Sequence, residues 1–308
     1  MTEKRIQGKL PVVWHRAYEV DIGPHVFPTR KYRAVHDRLL AEGTISPDDV
    51  HTPQPAGDED VALVHTPDYL RKIVRGEFSA HDELVLEIPF SSELREAMWL
   101  FAGGSITASG LAMDAGIAAH LGGGFHHAFP DHGEGFCLIN DVAIAIRVMM
   151  SRGLTERPIV IDCDLHHGNG TAAVFARDPK VFTFSIHQQH NYPLHKPASD
   201  LDLGLADGVG DDVYLELLAQ NIPRILDQHG ADFALYLAGA DPYRDDQLGG
   251  LRLSLEGLRR RDELVLSALR ERRIPTAVVL AGGYARRFDD TVEIHCGTVR
   301  AATAILAG

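Results

Sequence analysis

Two carboxylates and an imidazole follow a short apolar segment in the sequence RPIVIDCDLHHGNG. Asp162, Asp164 and His166 are spaced i, i+2, i+4, so in an extended strand their side chains point to the same side. Burying these groups at the end of a strand is costly, and a bound divalent cation would offset the cost. The spacing therefore predicts a metal site. The alternative is a polar strand end with an aspartate that caps the next helix.

A second candidate lies in the sequence HLGGGFHHAFP, where His126 and His127 follow three glycines. The segment lacks the Lys-Ser/Thr ending of a phosphate-binding P-loop and the glycine spacing of a dinucleotide-binding loop. Histidine titrates near neutral pH and is suited to proton transfer. We therefore interpret the pair as a general acid–base element, with a structural turn as the alternative.

Two further apolar segments end in polar groups: ALYLAGADP leads to Asp241, and TAVVLAGGYARR leads to Tyr284. Taken singly, these residues could be a turn-forming Asp-Pro and a core tyrosine. Together with the first two motifs they indicate one site for metal-assisted hydrolysis. Two carboxylates and one histidine leave coordination positions open, so Zn²⁺ is the first expectation and Fe²⁺ the alternative.

The elements that would position these residues alternate along the chain. Short apolar segments predict strands at residues 159–161, 181–186, 233–237 and 276–280, and amphipathic segments with capping residues predict helices at 141–150, 255–272 and 291–306. A further helix is predicted from Asp211 or Asp212 to Gln228, with a bend or restart at Pro223. Residues 187–210 show no periodicity and are expected to form a long functional loop.

This alternation predicts a single α/β catalytic domain over residues 1–308. We expect a mostly parallel, multi-stranded sheet with helices on both faces. In such sheets the functional site lies at the carboxyl ends of the strands, which is where the four polar motifs fall.

The composition restricts the classes of function. The 308 residues are 45% hydrophobic and 24% charged, with a formal net charge of −13, as in a soluble globular protein with little affinity for nucleic acid or anionic membranes. A cationic substrate, such as a lysine-rich protein tail or a polyamine, fits this charge. Three scattered cysteines predict no disulfide framework. The opening residues contain no signal peptide and no apolar run is long enough for a membrane span, so we expect a reduced, cytoplasmic protein.

The motifs GGGFHHAF, IDCDLHHGNGT, AGADP and AGGY, in this order, resemble the zinc-dependent histone deacetylases and their bacterial relatives. Those proteins share an arginase-like α/β fold, and the resemblance extends from about Trp14 to Arg300. The segments HVFPTRKY, AGGSITASGLAM and LGGLRLSLEGLRRRDELVL are most similar to class IV members. The resemblance implies hydrolysis of the amide of an N-ε-acyl-lysine in a protein or peptide by metal-activated water.

The same resemblance implies roles for individual residues. Zn²⁺ would be bound by Asp164, His166 and Asp241. The tandem active-site histidines would be His126, with Asp162 as its partner, and His127, with Asn169 as its partner. Many family members have aspartate in place of Asn169, and since an amide supports a charged ring less well, we expect His127 to be protonated less easily than in those relatives. Tyr284 would hydrogen-bond the oxyanion of the tetrahedral intermediate.

Further positions carry over from the family. Phe136 and Tyr192 would form the walls of a substrate tunnel, with Gly135 and Gly283 beside them. A structural K⁺ site would use, mostly through backbone carbonyls, Asp162, Asp164, His166, Ser185 and Ile186. Lys31 falls near a basic residue that the family places below the zinc.

Several alternatives stay open at this point. The preferred acyl group could be acetyl or a long fatty acyl chain, the latter being the implication of class IV. The fold would also suit an acetylpolyamine amidohydrolase, a two-metal manganese ureohydrolase of the arginase kind, or a non-catalytic acyl-lysine binder. No oligomeric state is predicted.

Overall fold

The computed structural model describes residues 9–308, and its centre is one eight-stranded sheet in which every neighbouring pair of strands is parallel. The strands, in chain order, are β1 (Val12–Val13), β2 (Val50–His51), β3 (Ile117–His120), β4 (Pro158–Asp162), β5 (Phe182–Gln188), β6 (Leu201–Leu205), β7 (Phe233–Leu237) and β8 (Thr276–Val279). Their order across the sheet is β2-β1-β3-β8-β7-β4-β5-β6. The predicted α/β class is confirmed, and the sheet is entirely parallel.

In the described part of the chain, ten α-helices connect and cover the strands. They are α1 (Lys31–Ala41), α2 (Asp58–Val61), α3 (Pro67–Arg75), α4 (Ala80–Leu86), α5 (Ser92–Ala115), α6 (Asp141–Ser151), α7 (Asn169–Phe175), α8 (Asp211–His229), α9 (Leu255–Glu271) and α10 (Phe288–Ala307). Within residues 9–308, no helix combines the length and the hydropathy needed to cross a membrane.

The helices lie on both faces of the sheet, as the alternation of side chains along β4 shows. Val160 packs in a core with α5 and α6, whereas Ile159 and Ile161 pack in a second core with α8, α9 and α10. Because both faces are covered, the central strands are apolar throughout rather than alternating. This is why their sequences predicted strands so clearly.

The four predicted strands correspond to β4, β5, β7 and β8, while β1, β2, β3 and β6 were not predicted. The expectation of a structureless segment at residues 187–210 was wrong, because β5 continues to Gln188 and β6 occupies Leu201–Leu205. Since β6 is at the edge of the sheet, Asp202 and Gly204 face solvent and give it no continuous apolar run.

The helix starts were predicted well where a side chain caps the helix. Asn140 accepts a hydrogen bond from Ala143 N at the start of α6, and Ser254 caps α9 in the same way. The expected aspartate cap of α8 was wrong, because the capping position is Gly210 and the Asp211 carboxylate instead accepts hydrogen bonds from Ser254. The helix also continues through Pro223 without a restart.

The order of the central strands determines where the polar motifs meet. The strands β3, β8, β7 and β4 are adjacent, and the four motifs follow their carboxyl ends. Parallel strands end at the same edge of the sheet, so segments far apart in sequence converge there. The prediction of one catalytic domain over residues 1–308 includes residues 1–8, which lie outside the described part of the chain, and it stays a prediction.

Candidate metal and active site

Asp164, His166 and Asp241 bring three potential metal ligands together at this edge, all of them buried. One ligand atom from each lies within 4.8 Å of the others. His166 Nδ1 is 3.3 Å from Asp164 Oδ1 and 3.3 Å from Asp241 Oδ2. The sequence predicted this set of three ligands, and the pairing of β4 with β7 is what brings Asp241 beside Asp164 and His166.

Backbone groups orient the two carboxylates. Leu165 N donates to Asp241 Oδ1 at 2.9 Å, and Gly282 N donates to Asp164 Oδ2 at 2.8 Å. Gly282 is required here, because a β-carbon at this position would lie 2.1 Å from Asp241 Oδ2. The segment after β8 therefore approaches both carboxylates closely and donates a hydrogen bond to Asp164, while the segment after β4 donates one to Asp241.

The residues fit a divalent cation. Asp241 Oδ2 is buried and has no hydrogen-bond partner, which is costly for a carboxylate oxygen. Burial and the adjacent Asp164 carboxylate raise the pKa of Asp241. A cation among the three ligand atoms would satisfy the orphaned oxygen and neutralise the repulsion between the two carboxylates. One nitrogen and two carboxylate ligands suit zinc and other transition metals.

The two adjacent histidines lie beside these ligands and form one hydrogen-bonded chain. His126 Nδ1 donates to Asp162 Oδ2 at 2.7 Å, and His126 Nε2 is 3.1 Å from His127 Nε2. Burial disfavours the charged ring, but the carboxylates of Asp162 and Asp164 outweigh it and raise the pKa of His126 to about 9. His126 is therefore protonated at neutral pH, and its Nε2–H donates to His127.

The pKa of His127 is shifted in the opposite direction to that of His126. Burial and the charge on His126 lower its pKa well below the usual value, so the ring is neutral. His127 Nδ1 is 2.7 Å from Asn169 Oδ1 and donates to it, because an amide oxygen can only accept. The hydrogen is thus on Nδ1, and Nε2 is left with a lone pair. The expected effect of the amide, relative to an aspartate, stays a prediction.

The three glycines before the histidines wrap around a carboxylate of the protein itself. Asp141, the first residue of α6, accepts hydrogen bonds from Phe125 N at 2.7 Å and from Gly124 N at 3.1 Å. Gly124 has φ of 88°, and a β-carbon there would lie 2.6 Å from Ala281 Cα. The glycines therefore serve a tight turn that positions the histidine pair, and the anion in this turn is Asp141.

Tyr284 and two aromatic rings form the walls of a narrow channel above the ligands. Tyr284 is only 8% exposed, and burial raises its pKa, so its hydroxyl stays protonated as a donor. The ring centroids of Phe136 and Tyr284 are 5.9 Å apart, and those of His127 and Tyr192 are 5.1 Å apart. A cavity of about 150 Å³ lies among these rings, Gly135 and His166.

Gly135 and Gly283 were both predicted beside this channel. Gly135 lines it, and a β-carbon there would lie 2.8 Å from the Tyr192 ring. A β-carbon at Gly283 would lie close to Ala240 and Thr291, and its neighbour Gly282 lines the site. The place of Gly283 beside the tunnel stays a prediction.

The remaining predicted residues lie around the base of the site. Ser185 on β5 is paired in register with Asp162 on β4, and Ile186 follows it. Lys31 is fully buried, and its Nζ donates to Ala281 O at 2.7 Å. Burial lowers the pKa of Lys31 to about 8 despite the carboxylates around it. The structure therefore brings Lys31 directly beneath the segment that carries Gly282.

Two acidic residues of the site were missed by the sequence analysis. Glu87 lines the channel, and Glu134 hydrogen-bonds Asn169 Nδ2 at 2.7 Å and the Tyr192 hydroxyl at 3.2 Å. Both lie in irregular segments, where no periodicity points to a site. In the sequence, the only indication that Glu134 belongs to the site was its position two residues before the motif residue Phe136. A separate surface cavity of about 780 Å³ shares no residue with this site.

Comparisons with known proteins agree with this geometry. A family model described as "Histone deacetylase domain" matches residues 25–298. An uncharacterized protein of Picosynechococcus is 42% identical over 293 residues, covering 95% of this chain and 98% of the relative. Histone deacetylase 2 of Arabidopsis thaliana is 28% identical over 303 residues, covering 93% and 78%. The acetoin utilization protein AcuC of Bacillus subtilis is 29% identical over 253 residues, covering 75% and 65%.

A solved structure described as the HDA15 HD domain superposes with a TM-score of 0.77 at 21% sequence identity, covering 97% of this chain and 88% of that one. That similarity shows the shared fold. The family match covers most of the chain and includes the histidine pair, the metal-ligand candidates and Tyr284. The chain belongs to the histone deacetylase family, a family of metal-dependent hydrolases.

Proposed function

We propose that this protein hydrolyses the amide of N-ε-acyl-lysine in proteins or peptides, with Zn²⁺ bound by Asp164, His166 and Asp241. The observation that carries the proposal is the convergence of these three ligands with a neutral His127 at the base of an aromatic channel. A metal alone or a basic histidine alone would suit many activities. Their combination with the Tyr284 hydroxyl suits amide hydrolysis.

The roles of the side chains follow from their protonation. Zn²⁺, when bound, would polarise the amide carbonyl and lower the pKa of water. His127 Nε2 carries a lone pair that accepts the hydrogen bond from His126 Nε2–H in this structure. In the proposed reaction this lone pair turns to the attacking water, accepts its proton and then gives that proton to the leaving lysine nitrogen. His126, held by Asp162, keeps its charge beside the reaction. The Tyr284 hydroxyl donates to the oxyanion that develops on the former carbonyl oxygen.

The channel favours an extended aliphatic stem. Phe136 and Tyr192 both line it with aromatic rings, which suits the methylene groups of a lysine side chain. The net charge of −13 favours a substrate that carries further positive charge. We propose that class IV is the nearest class and that the acyl group ranges from acetyl to a long fatty acyl chain.

A structural K⁺ ion is part of the proposal. Asp162 and the buried Ser185 lie side by side on neighbouring strands, and the hydroxyl and carbonyl oxygens of this region are the ligands that K⁺ takes. The backbone of Asp164, His166 and Ile186 would complete the site. We further propose that the protein works in the reducing cytoplasm, in accord with three buried cysteines that are all free.

The structure helps to separate this proposal from a two-metal ureohydrolase. A second group of potential ligands in the described residues comprises His167, His187 and Asp202, and it shares no residue with the first. Two-metal hydrolases hold their ions about 3.5–4 Å apart, which requires shared ligands. Two members of the second group are paired with each other, with His167 Nε2 3.1 Å from Asp202 Oδ1. This arrangement favours one catalytic metal.

The test is turnover on a panel of acyl-lysine peptides, from acetyl to myristoyl, together with acetylpolyamines. Purified protein is stripped with a chelator and reconstituted with Zn²⁺ or Fe²⁺. We expect metal-dependent release of the acyl group as a carboxylate, which leaves an unmodified lysine in the peptide. If only acetylpolyamines were hydrolysed, the substrate would be a polyamine and not an acyl-lysine peptide. Absence of turnover on every compound would refute the proposed activity. Binding without turnover would make the protein a reader of acyl-lysine.

A further inference from the structure

Glu134 contacts Asn169, the hydrogen-bond partner of His127, rather than His127 itself. Glu134 Oε1 accepts hydrogen bonds from Asn169 Nδ2 at 2.7 Å and from the Tyr192 hydroxyl at 3.2 Å. The Glu134 side chain is 18% exposed, and Asn169 is fully buried. A continuous series of hydrogen bonds thus runs from a carboxylate through an amide to the ring that the proposed reaction uses as its base.

The direction of this series follows from the chemistry of its members. An ionised carboxylate can only accept hydrogen bonds, so Asn169 must present its NH₂ group to Glu134 and its oxygen to His127. The amide oxygen in turn can only accept, so His127 must carry its hydrogen on Nδ1. The lone pair is then on Nε2. Without Glu134 the amide could rotate by 180° and favour the opposite tautomer.

The surroundings keep Glu134 ionised. Burial alone would raise its pKa, but hydrogen bonds with His132, Asn169 and Tyr192 lower it. His132 Nε2 is 3.4 Å from Glu134 Oε2, and Asp131 in turn is 2.8 Å from His132 Nδ1. The acceptor-only form on which the hydrogen-bond direction depends is therefore the form present at neutral pH.

We propose that Glu134 is a positioning residue that selects the tautomer of His127 through the side-chain amide of Asn169. The consequence for catalysis rests on the proposed function, whereas the tautomer itself does not. The inference assigns a role to a residue outside the metal ligands and the histidine pair. A wrong tautomer leaves the geometry of a catalytic base intact but places its lone pair on the wrong nitrogen.

The first experiment reads the tautomer directly and needs no activity. The zinc-loaded full-length protein, labelled with ¹⁵N-histidine, is examined by long-range ¹H–¹⁵N NMR, and the His127 signals are assigned by their loss in a His127→Asn variant. We expect hydrogen on Nδ1 in the wild type and a substantial Nε2-protonated fraction in Glu134→Met, which keeps the side-chain length but removes the acceptor. The same tautomer in both proteins would overturn the inference.

The second experiment tests the consequence by rescue. We expect Glu134→Met to lower kcat by about 10- to 100-fold, the usual range for residues that orient a functional side chain. Adding Asn169→Asp to that variant supplies a carboxylate directly to His127 and should restore most of the rate. Asn169→Asp alone places two carboxylates in contact and should be less active than the double variant. A merely structural role for Glu134 predicts no such rescue, and its absence would refute the proposal.

Two control variants separate the contacts of Glu134. Asp114→Asn removes an exposed surface charge on α5, outside the network of Glu134, and should leave both the tautomer and kcat unchanged. Tyr192→Phe removes only the second hydrogen bond to Glu134, and its effect should fall on KM. If Tyr192→Phe reproduced the full loss of kcat, Glu134 would act through the channel wall and the inference would fail. An inactive wild type would refute the proposed function but leave the NMR result decisive.

Discussion

Gly282 offers a direct test of the metal site, because the structure leaves no room for a side chain there. In Gly282→Ala the new β-carbon would lie 2.1 Å from Asp241 Oδ2 and 2.6 Å from Asp164 Oδ2. Both distances are well below van der Waals contact, so a ligand oxygen or the backbone after β8 must move by about 1 Å. Metal ligands tolerate displacements of only about 0.2 Å. We therefore expect the affinity for Zn²⁺ to fall by at least 10- to 100-fold, or about 1.4–2.8 kcal/mol.

The assay is competition for Zn²⁺ with a chromophoric chelator, which reports metal affinity independently of turnover. Gly110→Ala is the matched control, since this glycine lies within α5 and its β-carbon would meet nothing within 4 Å. That control should bind Zn²⁺ like the wild type and gain about 0.5–1 kcal/mol of stability. Wild-type affinity in Gly282→Ala would show that these two carboxylates do not hold the metal.

Tyr284→Phe should lower kcat by about 100-fold or more while leaving Zn²⁺ affinity unchanged, because it removes only the donor to the oxyanion. Steady-state kinetics measure kcat, and metal analysis of the same variant measures Zn²⁺ binding. Burial lowers the pKa of His65 to about 4. Between about pH 6.5 and 4 the unfolded chain therefore binds a proton at this ring that the folded chain does not bind, and the free energy of unfolding falls as the pH drops through this range. His65→Gln should reduce that loss by about 3 kcal/mol in urea titrations at pH 4, and an unchanged pH slope would contradict it. Asn140→Ala should cost about 2–3 kcal/mol, because this side chain caps α6 and also donates to the carbonyl of His126. In the same urea titrations Ser254→Ala, which removes only a cap, should cost about 1 kcal/mol, and equal costs would refute the second role of Asn140.

The part of the site that could be predicted from the sequence is the part carried by regular strands. Asp162 ends β4, a strand buried on both faces, and Asp164 and His166 follow it. The extended geometry expected for all three residues stops at Asp162, because the chain bends at residues 164–166, but the motif still locates them at the carboxyl end of the strand. Asp241 could be placed near them because it follows another buried apolar segment. In each case a local pattern was enough to locate the side chain, since strand ends in a parallel sheet converge.

The part that could not be predicted depends on contacts between distant segments. The two-residue strands β1 and β2 are too short to give a pattern, and β6 has the mixed polarity of a sheet edge. Asp141 was recognised as the start of a helix, but its contact with the glycine turn exists only after folding. The same is true of Glu134, whose hydrogen bond to Asn169 spans 35 positions.

The order of the strands has a consequence for biosynthesis. The last strand to leave the ribosome, β8, lies at the centre of the sheet between β3 and β7. Until it arrives, the nascent chain contains two sheet halves whose apolar inner edges are unpaired, and such edges promote aggregation. A truncation before residue 276 would therefore do more than remove Tyr284: it would leave the two halves unjoined. We expect nascent chains of this length to depend on chaperones.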